Sequence, residues 1–393
     1  MQIILFEDNY WSRFLPLVYT RPVGELRIGM DKLSTKYEAL FGVNVFHETR
    51  GYLRSLFPVA QKEPSLFINA RLIPDPNVVE AIRSLPLNTS LMYDGQHIAY
   101  RCTSLNDVNS NITYAEQPVL LNHITDLFAL NDRAMQLDFD QKTKGKVSEP
   151  LHPSNVVIGD PALMFICKGA KVYASTFNTN EGPIYIDTDA EVMEGSHIRG
   201  PFYLGEHASL KMATKVYGPT TIGPHCKVGG EVSNSVIQGY SNKGHDGFLG
   251  NSLLGEWCNL GADTNTSNLK NNYSAVRIWN YASNQYTDTG LTFCGLIMGD
   301  HSKAGINTMF NTGTVAGVCA NVFGGDFPPK HIPSFTWGGA EGFEEYDFAK
   351  SMETISRVMA RRHLQLTDEI IQMLKEVFDS TAPQRVGATQ SQE

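Results

Sequence analysis

Aliphatic side chains recur at every sixth position through the middle of the chain: Ile186, Val192, Ile198, Leu204, Leu210, Val216, Ile222 and Val228. A helix repeats near 3.6 residues and a strand at 2, so neither yields a strict six. A period of six suits a chain that turns a corner every six residues and sends one aliphatic inward each time. Three hexads then close one triangular coil of a parallel β-helix, and stacked coils bury a continuous aliphatic column. Gly205, Gly223 and Gly229 follow Leu204, Ile222 and Val228, where small residues fit the corners. The spacing predicts a start near Val156, with Ile158, Ile166 and Val172 in hexad-like positions, and a loop thrown out at 178–183. The beat lapses over 233–248 and 264–291, and repeat proteins often place function in such insertions. It returns at Met298, Ala304, Phe310, Ala316 and Val322, and the prolines of 324–335 are expected to end it.

The flanks read differently. Residues 1–120 mix strand-like runs (MQIILFE, 65–72, 90–95, 97–102) with helical spacing over 77–85, where Val78, Ala81, Ile82 and Leu85 share one side. Such alternation predicts a parallel sheet with crossover helices. Residues 121–153 read as a helical linker, 154–335 as the β-helix, and 336–380 as helices with Met352, Ile355, Val358 and Met359 on one face. Residues 381–393 have the composition of a disordered tail.

The 393 residues exceed what one core serves, so two domains are expected. A formal charge of −9 and a pI near 5.7 argue against a nucleic-acid partner. An anionic substrate would need a local basic patch, and the coils offer Lys211, Lys215, Lys227 and Lys243 against Glu206, Glu231 and Asp246. Six scattered cysteines without a CxxC pair suggest reduced thiols, not disulfides or zinc. No leader-like N-terminus and no bilayer-length apolar run are seen, so the expected place is the cytoplasm, with no membrane partner. His207 and His225 lie one coil apart and should stack on one face; no HxxxxH pair joins them to suggest a zinc site.

Chemistry enters where the phase is lost. The stretch from Gly239 to Asn272 holds Ser241, Lys243, Gly244, His245, then Leu249-Gly250, then Asn259-Leu260-Gly261-Ala262, then Thr264, Thr266 and Asn268. This segment resembles the catalytic coil of hexapeptide-repeat acetyltransferases, above all the acetyltransferase half of the bifunctional enzymes that make UDP-N-acetylglucosamine. The resemblance implies a left-handed β-helix, a homotrimer with the site between neighbours, and acetyl transfer from acetyl-CoA to an amino-sugar phosphate. It implies His245 as base, Glu231 as its orienting acid and Asn259 beside the reacting sugar. Lys215, Asn268, Phe248 and Ser233 fall at substrate-binding positions; Phe248 stands for the family's Tyr and Ser233 for its Lys. Gly261, Ala262 and Lys243 are the expected acetyl-CoA contacts, with backbone near Gly244, Gly261 and Ala262 offered to an oxyanion.

The N-terminus resembles a divergent sugar-nucleotidyltransferase. Arg13, FLPLVYT, Arg21 and Pro22 follow the family's second half of the phosphate loop, but EDNYWS (7–12) replaces its glycines. The resemblance implies phosphate contacts from Arg13, Arg21, Arg27 and Lys32, and Mg²⁺ on Asp8 or Glu7. It also leaves a non-catalytic alternative: a trimeric scaffold, or a sugar-nucleotide-binding protein, that retains both folds.

Overall fold

The computed structural model describes residues 2–58 and 63–388. The N-terminal unit holds a six-stranded sheet in the order Val45–Glu48, Gln2–Phe6, Ser65–Asn69, Gln96–Cys102, Thr89–Tyr93, Ser110–Thr113. Its first three strands are parallel and Gln96–Cys102 runs antiparallel to its two neighbours, so the sheet is mixed, not wholly parallel. Helix Pro76–Arg83 starts as its sequence dictates. Asp75 caps the N–H groups of Asn77 and Val78, proline occupies the first turn, and Val78, Val79 and Ile82 are buried.

From Val156 the chain winds into the expected parallel β-helix. Its faces are stacks of six, nine and ten short strands. All eight aliphatics of the six-residue run are at most 2 % exposed. They pair one coil apart, as Leu204 with Ile222 and Leu210 with Val228. The first beat is off by one: Ile158 is 46 % exposed, and Val157 aligns with the buried Phe177 instead. At 178–183 the coil carries extra residues, so Ile166 pairs with Ile186, twenty residues on. The prolines do not end the ladder. Strands His331–Ile332 and Thr336–Gly339 continue two faces, and Thr336–Gly339 then turns back in a hairpin with Gly342–Glu345.

One corner carries a stack of rings. His207, His225, Tyr240, Trp257 and His301 all adopt positive φ, from 55° to 64°. Their ring centroids follow at 5.0, 4.8, 4.3 and 6.2 Å, with interplanar angles of 22° or less. A left-handed residue with a side chain costs about 1–2 kcal/mol. Aromatic stacking returns about 0.5–1.5 kcal/mol per pair, which offsets much of that strain.

The two units share a core. Leu17 and Val18 belong to the same buried cluster as Val276, Ile297, Phe335 and Met373. The C-terminal helices complete it. The expected helical stretch is broken into Phe348–Ala360 and Asp368–Ser380, because Thr367 caps the second helix through the N–H of Ile370. The tail expected to be disordered is partly helical: Ala382–Ala388 is a helix, with Arg385 buried beneath Phe378 and bonded to Glu345. Residues 389–393 lie outside the described residues.

Candidate active site

The irregular coil is short. Register is 18 residues at Leu210 and Val228, 16 at Val216 and Val232, and 15 at Val228 and Lys243. The missing residues draw Lys243 into the aliphatic column, where it is 2 % exposed. Its ammonium donates to the carbonyls of Gly229 (2.9 Å) and His245 (3.0 Å). Burial pushes its pKa down to about 8. Lys243 therefore cannot reach a cofactor phosphate, contrary to expectation. It holds the His245 loop from inside. A signal was present: Val228-Gly229, Lys243-Gly244 and Leu260-Gly261 are equivalent pairs, with Lys in the aliphatic slot.

His245 sits where the chain turns from strand Asn242–Lys243 toward strand Phe248–Gly250. Its side chain is exposed, and it lines a cleft of about 650 Å³ together with Gly244, Asn259, Gly261 and Ala262. Asn259 is positioned by the Asn242 amide at 3.5 Å. The Gly261 N–H is spent on Ala304 O at 3.0 Å, so it is not an oxyanion donor. Among the described residues, the N–H groups of Gly244 and Ala262 have no protein acceptor. Arg361 and Arg362, at the end of helix Phe348–Ala360, also line this cleft, with Lys211, Lys227 and Lys303. The two arginines and Lys303 were not anticipated, since helical spacing says nothing of where a helix end will dock.

The other expected residues lie round the edge, on or beside the six-strand face. Glu231 aligns with Phe248, and Ser233 with Gly250. The Glu231 carboxylate accepts from Tyr217 (2.6 Å) and lies 3.7 Å from the Lys215 ammonium. No hydrogen bond joins it to His245 among the described residues, so it does not orient that imidazole in this chain. Lys215 and Glu231 line a separate hollow of about 640 Å³. Ser233 is buried, and Asn268 bonds to Asn251 at 2.8 Å. His245, Asn259 and Ala262 thus meet in one cavity, while Lys215, Glu231, Phe248 and Asn268 do not join them.

The N-terminal candidates are committed elsewhere. Arg21, 5 % exposed, pairs with Glu256 at 2.8 Å and with Asp300 across the boundary to the β-helix. Burial alone would lower its pKa, but the two carboxylates override that and raise it. Arg27 donates to Gln238 O at 3.1 Å, and Lys32 pairs with Glu25 at 3.1 Å. Arg13 lies over Tyr10 at 3.9 Å and reaches Asn122 O at 3.4 Å. Arg21 and Lys32 border a hollow of about 240 Å³ between the two units, and Arg13 borders a smaller one, but each cation is already engaged by the protein groups named above. EDNYWS, lacking glycine, leads into a tight helical turn, Trp11–Phe14.

Asp8 was a metal candidate. Its carboxylate accepts from Arg71 Nη2 (2.5 Å), Asn69 Nδ2 (2.9 Å) and the Tyr10 N–H (3.0 Å). Glu7 accepts from Val23 N–H, Thr49 and Arg50. Both acids are saturated by protein donors, and no cluster of three metal-ligating side chains occurs among the described residues. The residues do not fit a Mg²⁺ ion.

The fold is an α/β unit joined to a parallel β-helix. Residues 3–147 match the sugar nucleotidyl transferase family. Over 147 residues the chain is 33 % identical to a bifunctional sugar-1-phosphate nucleotidylyltransferase/acetyltransferase of Sulfurisphaera tokodaii, covering 37 % of this chain and 36 % of that one. Over 87 residues it is 34 % identical to the bifunctional protein GlmU of Methanocaldococcus jannaschii, covering 22 % and 21 %. The matches thus span little more than a third of one relative and about a fifth of the other. The resemblance to bifunctional GlmU-like proteins is upheld, at modest identity. A solved UDP-N-acetylglucosamine acyltransferase of Arabidopsis overlaps 61 % of this chain and 94 % of its own, at 16 % identity. Its TM-score of 0.25 is too low to carry detail across. No helix among the described residues is long and apolar enough to cross a membrane.

Proposed function

We propose that the β-helix transfers an acetyl group from acetyl-CoA to the amine of an amino-sugar phosphate such as glucosamine-1-phosphate. One observation carries this reading: His245, Asn259, Gly244 and Ala262 line one cavity, and among the described residues the N–H groups of Gly244 and Ala262 have no protein acceptor. In the reaction a nitrogen–carbon bond forms and the thioester carbon–sulfur bond breaks. His245 takes the proton the amine must lose and returns it to the departing thiolate. The N–H groups of Gly244 and Ala262 donate to the oxyanion of the tetrahedral intermediate. Asn259 orients the acceptor, and Lys243 fixes the loop by bonding the His245 carbonyl.

The substrate-binding positions across the edge, Lys215, Phe248 and Asn268, would join the site if copies pack edge to edge, as in a homotrimer. Nucleotidyl transfer with Mg²⁺ would require Asp8 and Glu7 to give up their present donors. That favours a second reading for the N-terminal unit alone: it binds or scaffolds without turnover. The test is thiol release from acetyl-CoA with glucosamine-1-phosphate, for wild type and His245→Ala. A fall of about 10²–10⁴ in rate supports the base; equal rates refute it. Absence of pyrophosphate release from UTP and N-acetylglucosamine-1-phosphate supports the silent N-terminal unit; release refutes it.

A further inference from the structure

We infer that the cationic wall of this cleft, Lys211, Lys227, Lys303, Arg361 and Arg362, is a polyphosphate site that holds the nucleotide phosphates of the acyl donor. This deepens, and rests on, the acyl-transfer reading. Five cationic side chains line the cavity and no acidic one does, in a chain of net charge −9. Among the described residues none of the five pairs with a carboxylate. Elsewhere, buried or half-buried cations such as Arg21, Lys36, Arg71 and Lys142 each hold an acid within 3.1 Å.

The wall's own contacts are neutral. Arg362 donates to the amide oxygen of Asn242 at 3.3 Å, and Lys303 to the carbonyl of His301 at 3.0 Å. Like charges crowd one another: Arg362 first, then burial, Lys211 and Arg361 hold the Lys227 ammonium below its ordinary range. An anion relieves that repulsion.

Charge count selects the ligand. A sugar monophosphate brings about 1.5–2 negative charges at pH 7, too few for five cations. A donor nucleotide with a pyrophosphate and a third phosphate brings roughly twice that. The wall belongs to the same cavity as His245, so phosphates held there leave the thioester arm to run toward the imidazole.

The test is calorimetric titration of the full chain with coenzyme A, pyrophosphate and glucosamine-1-phosphate. It is run on wild type, on Arg361→Ala/Arg362→Ala and on Lys211→Gln/Lys227→Gln, with melting temperature as folding control. Each lost charge-assisted contact should cost about tenfold, so coenzyme A should bind about 100-fold more weakly to either double variant. The donor KM should rise in step, with kcat within about threefold and glucosamine-1-phosphate affinity unchanged. Unchanged coenzyme A affinity in both variants with thiol release intact keeps acyl transfer and overturns the wall. Pyrophosphate bound by wild type and lost in the variants, with coenzyme A neither bound nor consumed, overturns the donor assignment and the acyl-transfer reading together. A loss confined to glucosamine-1-phosphate reassigns the wall to the acceptor and overturns the inference.

Discussion

Arg21 separates two accounts of the N-terminal unit. If it gripped a triphosphate, Arg21→Ala would abolish nucleotide binding and leave stability alone. The structure predicts the reverse. The side chain is 5 % exposed and stands between two carboxylates, Glu256 at 2.8 Å and Asp300 closer still. Asp300 keeps Thr20 (2.6 Å) and the Glu256 N–H (2.8 Å) as donors, but Glu256 loses its charged partner. Breaking a buried pair costs about 3–5 kcal/mol, chiefly because an uncompensated charge is left behind. At about 1.4 kcal/mol per tenfold, the midpoint of that range shifts the folded-to-unfolded ratio nearly a thousandfold. The assay is urea unfolding followed by tryptophan fluorescence, since Trp257 lines the same interdomain hollow as Arg21. Arg357→Ala is the control, because its pair with Glu353 is exposed and worth within about 0.5 kcal/mol. The sign with pH is also fixed. Arg21 holds Glu256 below the usual carboxylate range against the pull of burial, so this stabilisation is present above about pH 4.3 and fades as pH falls further. In the variant the orphaned acids take up protons more readily, so the cost of Arg21→Ala should shrink from pH 7 to pH 5. A cost under about 1 kcal/mol at pH 7, or one that grows in acid, refutes the docking account.

Other outcomes follow from the coils. Leu210→Ala should destabilise by about 2–5 kcal/mol in the same urea assay, as the column has no slack around a fully buried leucine. A Cβ on Gly261 would meet the Gly305 backbone at 2.5 Å, whereas one on Gly244 meets nothing within 4 Å. Gly261→Ala should therefore lower the melting temperature, and Gly244→Ala should leave it unchanged. Lys243 is held at about 8 when folded but near 10.4 when unfolded, so the unfolded chain binds the extra proton between those values. Wild-type stability should rise over that window, and Lys243→Met should flatten the rise in urea titrations at pH 8 and pH 10.

The hexad positions were legible because burial of one aliphatic per corner is a constraint on the chain itself. The stacking of His207 on His225 followed from the same arithmetic, one coil apart. The site was half legible. His245, Asn259 and Ala262, which the resemblance singled out, lie together because they stand at the same corner of adjacent coils. Glu231 and Lys215 were placed beside them by resemblance alone, and the chain sends them round the edge. Lys243 misled because the resemblance set it among the cofactor contacts, whereas the coil there is three residues short and turns it inward. Arg21 and Asp8 misled for another reason: a basic or acidic residue at a loop position does not say which partner the fold will bring to it. That is decided by contacts hundreds of residues away, such as Arg21 with Asp300.

The short coil has a wider consequence. In a wound prism, which residues face inward depends on how many precede them in the turn as well as on what they are. Reinserting three residues ahead of Ser241 would move the ammonium toward solvent and offer its slot to another side chain, with no substitution made. Length changes at such corners therefore rewrite chemistry, and a comparison of related chains that tolerates gaps there would conceal the event that distinguishes them.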